Sequence, residues 1–442
     1  MRLKNSRDPD LSLWQSAVDE VVAKTTSGSQ TQGLGAPTVV QRPDAGSESM
    51  VGAAALDVTD AEQGASTPGA APAAGEAAQG VGPVVKYCST LARNIVMDAL
   101  KRDPTGASIN KAELTVQMGV CDPRWVDVIL KYKEFSASRQ AVPYRTYQNI
   151  GDYVIDGGVL PPQARVAIVG DWATGQSEAK QVLAQIARKK PAPNVVIHLG
   201  DIYYSCTDFE AQNYFYDIWS SELDLGQVRS FTLAGNHDMY GGGAAYYRLL
   251  DKIQQPASYF CLRNAKWQFL AMDTGLNDRV PTGAQPTYLQ DTEVAWLKDK
   301  VQNAGGRRTI LLSHHQLFTA YEDIAGQCVN TRLQSQVSGI LAGVDVWLWG
   351  HEHDFVIYKP YQGVLARCIG HGAFPVGVDE PHAIKFPQVP ICLDAPLGNN
   401  GTFVNHGYAI IDIDAAAATI SYYQDSDETN PMFKETLVAP NG

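Results

Sequence analysis

From about residue 163 the chain settles into a repeating texture that few folds accommodate. Short apolar runs alternate with amphipathic stretches: "ARVAIVG", then "SEAKQVLAQIARKK", then "NVVIHLG". The runs are short and rich in β-branched residues such as Val195, Val196 and Ile197, so they predict buried strands. The stretches between them carry helical periodicity. Strand, helix and strand in succession predict an α/β domain. "RSFTLAG", "KWQFLAM", "RRTILLS" and "DVWLWG" continue the series, and "GYAIIDIDAAAATISYY" predicts a closing pair of strands around a turn near Asp414.

The residues that follow these runs share one kind of chemistry. Asp171 follows "VAIVG" and Asp201 follows "VVIHLG". Asn236, His237 and Asp238 follow "FTLAG", His314 and His315 follow "ILLS", and His351 and His353 follow "VWLWG". Open α/β sheets form their sites in the crevice beyond the carboxyl ends of the strands. Oxygen and nitrogen donors from several strand ends would therefore meet in one place. They are too many for a single ion and suit two ions sharing a carboxylate, an arrangement that clamps an in-line displacement at phosphorus. Carboxylate, imidazole and amide without thiolate point to Fe, Mn or Zn.

Upstream the texture differs. Residues 1–24 hold a short amphipathic helix, with Leu13, Trp14, Ala17, Val18, Val21 and Val22 on one face. Its apolar face suits a protein partner or the body of the chain. Residues 25–82 are Ala-, Gly-, Pro- and Ser-rich, as in "GASTPGAAPAAGEAAQG". So few large apolar side chains would not offset the entropy of ordering, and a disordered linker is expected. Residues 83–160 predict a small helical domain, with one helix beginning at Asp122 and Pro123. The remaining residues, 161–442, form the α/β domain.

Bulk properties exclude several roles. Lys and Arg number 35 against 47 Asp and Glu, a net charge of −12, which argues against coating nucleic acid by phosphate neutralisation. No apolar run is long enough to span a membrane. "MRLKNSRDPDLSLWQSAVDE" lacks the apolar core of a signal peptide, so a cytoplasmic location is expected. The seven cysteines are odd in number and form no C-x-x-C pair, which suits reduced thiols.

With Gly170-Asp171, Gly200-Asp201, Gly235-Asn236-His237-Asp238, His314 and Gly350-His351-Glu352-His353, residues 163–425 resemble the calcineurin-like metallophosphoesterases. The resemblance implies a four-layer α/β/β/α sandwich, two packed sheets flanked by helices. Most members carry Asp-x-His in the first motif. Here Ala173 stands at the histidine position and cannot ligate. Purple acid phosphatases carry Gly-Asp-x-x-Tyr in the second motif instead, and "GDIYY" puts Tyr204 at that tyrosine. The chain therefore resembles the purple acid phosphatase branch, with Tyr203 left to packing.

Carried over residue by residue, the resemblance implies one metal on Asp171, Asp201, Tyr204 and His353. A second metal would lie on Asp201, Asn236, His314 and His351, with Asp201 bridging. His314 is preferred to His315 because the family's ligand histidine is commonly followed by one residue and then Pro, although Gln316 stands there. Iron is implied at the Tyr204 site and divalent Fe, Zn or Mn at the other. His237, oriented by Asp238, is the implied catalytic group. Asn236, His237, His315 and His371 are candidates to face the substrate. Glu322 and Asp323 stand where the branch usually has histidines. The implied activity is hydrolysis of a small phosphorylated substrate, a phosphomonoester, by metal-bound hydroxide attacking phosphorus in line. The alternatives are a phosphodiesterase acting on nucleotides or lipid head groups, and a non-catalytic interaction protein.

Overall fold

A computed structural model describes residues 7–28, 124–138, 142–278, 286–379, 383–393 and 397–438. The expected linker beyond residue 28, and the first helix of the expected helical domain, lie outside these residues. The chain divides into two compact units, Met1–Ala137 and Ser138–Gly442.

In the first unit, α1 (Pro9–Gly28) begins where the Asp8 carboxylate accepts the amides of Asp10 and Leu11 at 2.9 and 3.1 Å. It continues four residues past the expected end of the helix, and its predicted stripe of Leu13, Trp14, Ala17, Val18 and Val21 is buried. Trp14 meets Tyr132 of α2 (Arg124–Ser138) edge to face, and the Tyr132 hydroxyl donates to Asp10. Among the described residues no helix is long and apolar enough to cross a membrane.

The second unit is built on two sheets. In chain order its elements are β1 (Val154–Ile155), β2 (Gln163–Val169), α3 (Ser177–Arg188), β3 (Val195–His198) and the helical run 208–222, α4. There follow β4 (Arg229–Thr232), α5 (Asn236–Tyr240), α6 (Ala244–Lys252), β5 (Phe260–Arg263), β6 (Trp267–Ala271) and α7 (Asp291–Gln302). The chain closes with β7 (Arg308–Ser313), α8 (Thr331–Val337), β8 (Val346–Trp349), β9 (Phe355–Tyr358), β10 (Leu365–Ile369), β11 (Ile391–Leu393), β12 (Gly407–Asp414), β13 (Ala417–Gln424) and β14 (Phe433–Val438). One sheet has the order β1-β5-β6-β7-β8-β10-β9-β11 and the other β14-β13-β12-β2-β3-β4. Residues 142–160 depart from the helical expectation, since β1 pairs with β5 in the larger sheet.

Strand alternation builds the layers. On β2, Val166 and Ile168 face the core between the sheets, while Ala167 and Val169 face the helices. On β8, Val346 and Leu348 join the same central core, while Trp347 and Trp349 pack on the far side. Both faces of the central strands are therefore buried, which explains their near-continuous apolar sequences. The result is the expected four-layer α/β/β/α sandwich. β2, β3 and β4 run parallel in one sheet, as do β6, β7 and β8 in the other. Their carboxyl ends bring Asp171, Asp201 and Asn236 from one sheet to His314 and His351 from the other.

Candidate metal centre

Two clusters of donors meet across one carboxylate. In the first, the Tyr203 hydroxyl lies 2.9 Å from Asp171 Oδ1, 3.1 Å from Asp201 Oδ2 and 2.7 Å from His353 Nε2. His353 Nε2 is also 3.4 Å from Asp171 Oδ1. In the second, His314 Nε2 lies 3.2 Å from Asn236 Oδ1, 3.1 Å from His351 Nδ1 and 3.4 Å from Asp201 Oδ1. Asp201 thus lends one oxygen to each cluster. All of these side chains are buried, His353 being the most exposed at 9%.

The backbone is bent to make this possible. Asp171, Asp201, His351 and His353 have φ of 54, 72, 70 and 51°, a left-handed region that L-residues avoid. Strain of this kind gathers where surrounding structure over-determines a functional geometry. Gly200, at φ 104°, lets the chain pass so close to Gly235 and His314 that a Cβ there would meet Gly235 N at 2.7 Å.

Each donor is oriented from behind. His314 Nδ1 donates to the Leu199 carbonyl at 3.0 Å, which leaves Nε2 for the cluster. Asp171 Oδ2 accepts the His351 amide at 2.7 Å. Asn236 Nδ2 donates to the Tyr240 hydroxyl at 2.7 Å, turning its carbonyl oxygen inward. The Phe374 ring stacks on His353 with centroids 4.2 Å apart.

The electrostatics follow from burying two carboxylates with no lysine or arginine among the donors. Burial disfavours charge on Asp201, but the His314 and His237 imidazoles outweigh it and hold its carboxyl well below the usual range. Burial likewise opposes protonation of His314, yet Asp201 and Asp171 raise its pKa to about 9. Burial, then Asp171 and Asp201, push the Tyr203 phenol well above its ordinary value. The donor set of two carboxylates, a phenol, an amide and three imidazoles therefore fits two cations sharing Asp201.

The structure corrects the expected tyrosine. Tyr203, not Tyr204, carries its hydroxyl into the first cluster. Ile202 forms a parallel bridge with Ala173, which ties together the loops after β2 and β3, and Asp201 turns there through a left-handed conformation. Ile202 packs into the helix-side core, while Asp201 and Tyr203 on either side of it both reach the cluster. Tyr204 instead offers its backbone: its carbonyl accepts from His237 Nδ1 at 2.5 Å and its amide donates to Glu210 Oε1 at 2.5 Å.

The assignment of Asp238 also changes. Its carboxylate accepts the amides of Asp201, Gly235 and Ile202 at 2.9, 2.7 and 3.1 Å, and so supports the loop rather than the His237 ring. Burial, then the neighbouring Asp201, raise its pKa to about 7. The carbonyl of Tyr204 fixes the Nδ1–H form of His237, whose Nε2 lies 3.9 Å from Asp201 Oδ2.

His315 is next to the second cluster, and a donor nitrogen of each of His314, His315 and His351 lies within 4.8 Å of the others. Both of its ring nitrogens nevertheless have partners, Thr274 Oγ1 at 3.0 Å and Asp278 Oδ2 at 2.9 Å. His371 has its Nε2 3.4 Å from the Tyr423 carbonyl and its ring tilted against Phe355. Glu322 Oε2 is 3.9 Å from His351 Nε2 and accepts from Gln316, whereas Asp323 closes an exposed turn onto Gly326. Sequence reasoning missed Glu210, Thr274, Asp278 and Phe374. The only signal for Glu210 was its position three residues after Thr207, the spacing of a helix capping box.

Residues 164–355 match the family model of the calcineurin-like phosphoesterases. The chain carries a calcineurin-like phosphoesterase domain. Several solved structures resemble the chain. The purple acid phosphatase from yellow lupin (Lupinus luteus) is 15% identical with a TM-score of 0.44, over 64% of this chain and 55% of that one. The chain thus spans little more than half of the lupin protein. A dimetal phosphatase from Danio rerio is 13% identical with a TM-score of 0.44, over 63% of this chain and 100% of that one. GAP50 of Plasmodium, described as the anchor in the inner membrane complex, is 15% identical with a TM-score of 0.43, over 63% and 90%. None of the curated proteins matches the sequence.

Proposed function

We propose that this phosphoesterase domain is a binuclear phosphomonoesterase of the purple acid phosphatase type. The observation that carries the reading is the division of the Asp201 carboxylate, one oxygen to each donor cluster. Asp171, Asp201, Tyr203 and His353 would hold one ion, and Asp201, Asn236, His314 and His351 the other. When bound, two such ions draw in phosphoryl oxygens and lower the pKa of water to near neutrality. Phenolate is a hard donor, which favours iron at the Tyr203 cluster with a divalent ion at the other.

The chain's own residues supply the rest. His237 keeps its proton on Nδ1 through the Tyr204 carbonyl and turns Nε2 toward Asp201. A protonated Nε2 there would donate to a phosphoryl or leaving oxygen. Asp238 and Leu199 hold the ligand loops by their hydrogen bonds.

Purified protein should contain two metal ions per chain and hydrolyse p-nitrophenyl phosphate faster than its bis-ester. Iron at the tyrosine cluster should give a visible tyrosinate band that is absent in Tyr203→Phe. A large preference for the diester would replace the monoesterase reading, and a protein with fewer than two ions would remove it.

A further inference from the structure

The segment "GDIYYSC" offers two adjacent tyrosines to one metal cluster, and a small change in the path of this turn would exchange one ring for the other. Something must fix that path. Asp201, Ile202 and Tyr203 lie between two buried carboxylates. On one side Asp238 accepts the amides of Asp201 and Ile202. On the other, Glu210 Oε1 accepts the amide of Tyr204 at 2.5 Å, while Oε2 accepts those of Ser205 and Thr207 at 3.1 and 2.9 Å. Tyr203's own amide donates to the Ala173 carbonyl at 3.1 Å. Glu210 is fully buried, and its amide donates to Thr207 Oγ1 at 3.3 Å.

A carboxylate that collects three amides makes strong, directional bonds, and leaving any of those amides unpaired in a buried site is costly. We propose that Glu210 is a positioning residue for the first metal. Its carboxylate anchors residues 204–207 so that the Tyr203 hydroxyl, and not that of Tyr204, is delivered to Asp171, Asp201 and His353. This rests on the two-metal reading above. The amides that Glu210 binds belong to the segment that follows Tyr203, so its effect falls on the ion of the Tyr203 cluster.

The test measures zinc affinity of the full chain, stripped of metal, by competition with a chromophoric chelator. Asn236→Ala serves to identify the second ion's binding step. Glu210→Gln replaces one oxygen by an amide group that faces backbone N–H donors. It should weaken the first ion 10–100-fold, the range found for residues that orient a ligand, and leave the second within about threefold. Tyr203→Phe should weaken the same ion, and Tyr204→Phe neither. Thr207→Ala removes the bond to the Glu210 amide but keeps the carboxylate on its three amides. It should lower Tm and leave both affinities unchanged.

The proposal is overturned if Glu210→Gln leaves the first ion unchanged while Tyr203→Phe weakens it. It is equally overturned if Thr207→Ala weakens that ion as much as Glu210→Gln does. Should Glu210→Gln not fold, Glu210→Asp is measured instead. A shorter carboxylate should still weaken the first ion selectively, and no change there overturns the proposal. A wild-type protein that binds fewer than two zinc ions would sink the metal reading itself, and this inference with it.

Discussion

Gly235→Ala adds one methyl group at the point where the two clusters join. The backbone of Gly235 has φ −96° and ψ 178°, which alanine adopts without strain. The obstacle is space alone. A Cβ at this position would lie 2.1 Å from Asp201 Oδ1, 2.9 Å from its Cγ and 2.8 Å from its amide nitrogen. Ordinary contact begins near 3.4 Å, so the oxygen must retreat by roughly 1.3 Å. It cannot do so independently, because the other Asp201 oxygen is committed to Tyr203 and its amide to Asp238. Overpacking of this size costs about 1–3 kcal/mol of stability, and a misplacement of about 1 Å at a reacting centre costs on the order of 10²-fold in rate. Gly235→Ala should therefore fold with a lowered Tm, lose metal, and drop at least about 100-fold in kcat/KM on p-nitrophenyl phosphate. Metal content would be measured by emission spectrometry after gel filtration. Gly339→Ala, where a Cβ meets nothing within 4 Å, is the control and should change neither. A Gly235→Ala protein with two ions and activity within about threefold of wild type would refute the reasoning.

Asp238→Asn replaces one of the oxygens that accept three backbone amides. It should cost about 1–3 kcal/mol in denaturant unfolding as well as activity; lost activity at unchanged stability would instead support direct catalysis. Glu293 accepts from the Asp273 amide and the Tyr144 hydroxyl. Burial raises Asp273 to about 6, and burial followed by Asp273 raises Glu293 well above the usual carboxylate range. Raised carboxylates stabilise the fold fully below their unfolded pKa values near 4, and that contribution is lost as pH rises through the folded values. Asp273 alone corresponds to roughly 3 kcal/mol between pH 4 and 6. Glu293→Gln should flatten the fall of stability over that range and above it, and an unchanged profile would refute the assignment. Removing metal with EDTA should lower Tm, by about 2.7 kcal/mol of stability for an ion held at a hundred times its Kd, and re-addition should restore it. A Tm that ignores EDTA would show that no ion contributes to the fold.

Much of this protein was legible in its sequence because its strands are short, apolar and bounded by donors. Periodicity identified the strands, and the principle that sites form beyond carboxyl ends gathered Asp171, Asp201, Asn236, His314, His351 and His353 before any coordinates. Strand-end residues have little freedom, since a buried parallel strand aims its last residues at one edge. Side chains further from a strand end escaped that constraint. His371 was a candidate by composition, but its loop packs it against Tyr423. His315, adjacent to a donor, is held by Thr274 and Asp278 from a different strand's loop, which no local pattern announces.

The sequence by itself determined the fold class and the five donor-bearing strand ends, and its resemblance to the purple acid phosphatases pointed to a tyrosine where Ala173 offers no ligand. Only the tertiary structure decided which tyrosine. Counting residues from Asp201 favours Tyr204. The bridge between Ile202 and Ala173, with Asp201 turned through a left-handed conformation, places the Tyr203 hydroxyl between Asp171, Asp201 and His353. That bridge joins the loops after two different strands, so its effect on Tyr203 could not be read from either loop alone. The same holds for Asp238. Its neighbour His237 suggested an acid–base pair, but the amides of Asp201 and Ile202, brought in from another strand, bind its carboxylate instead.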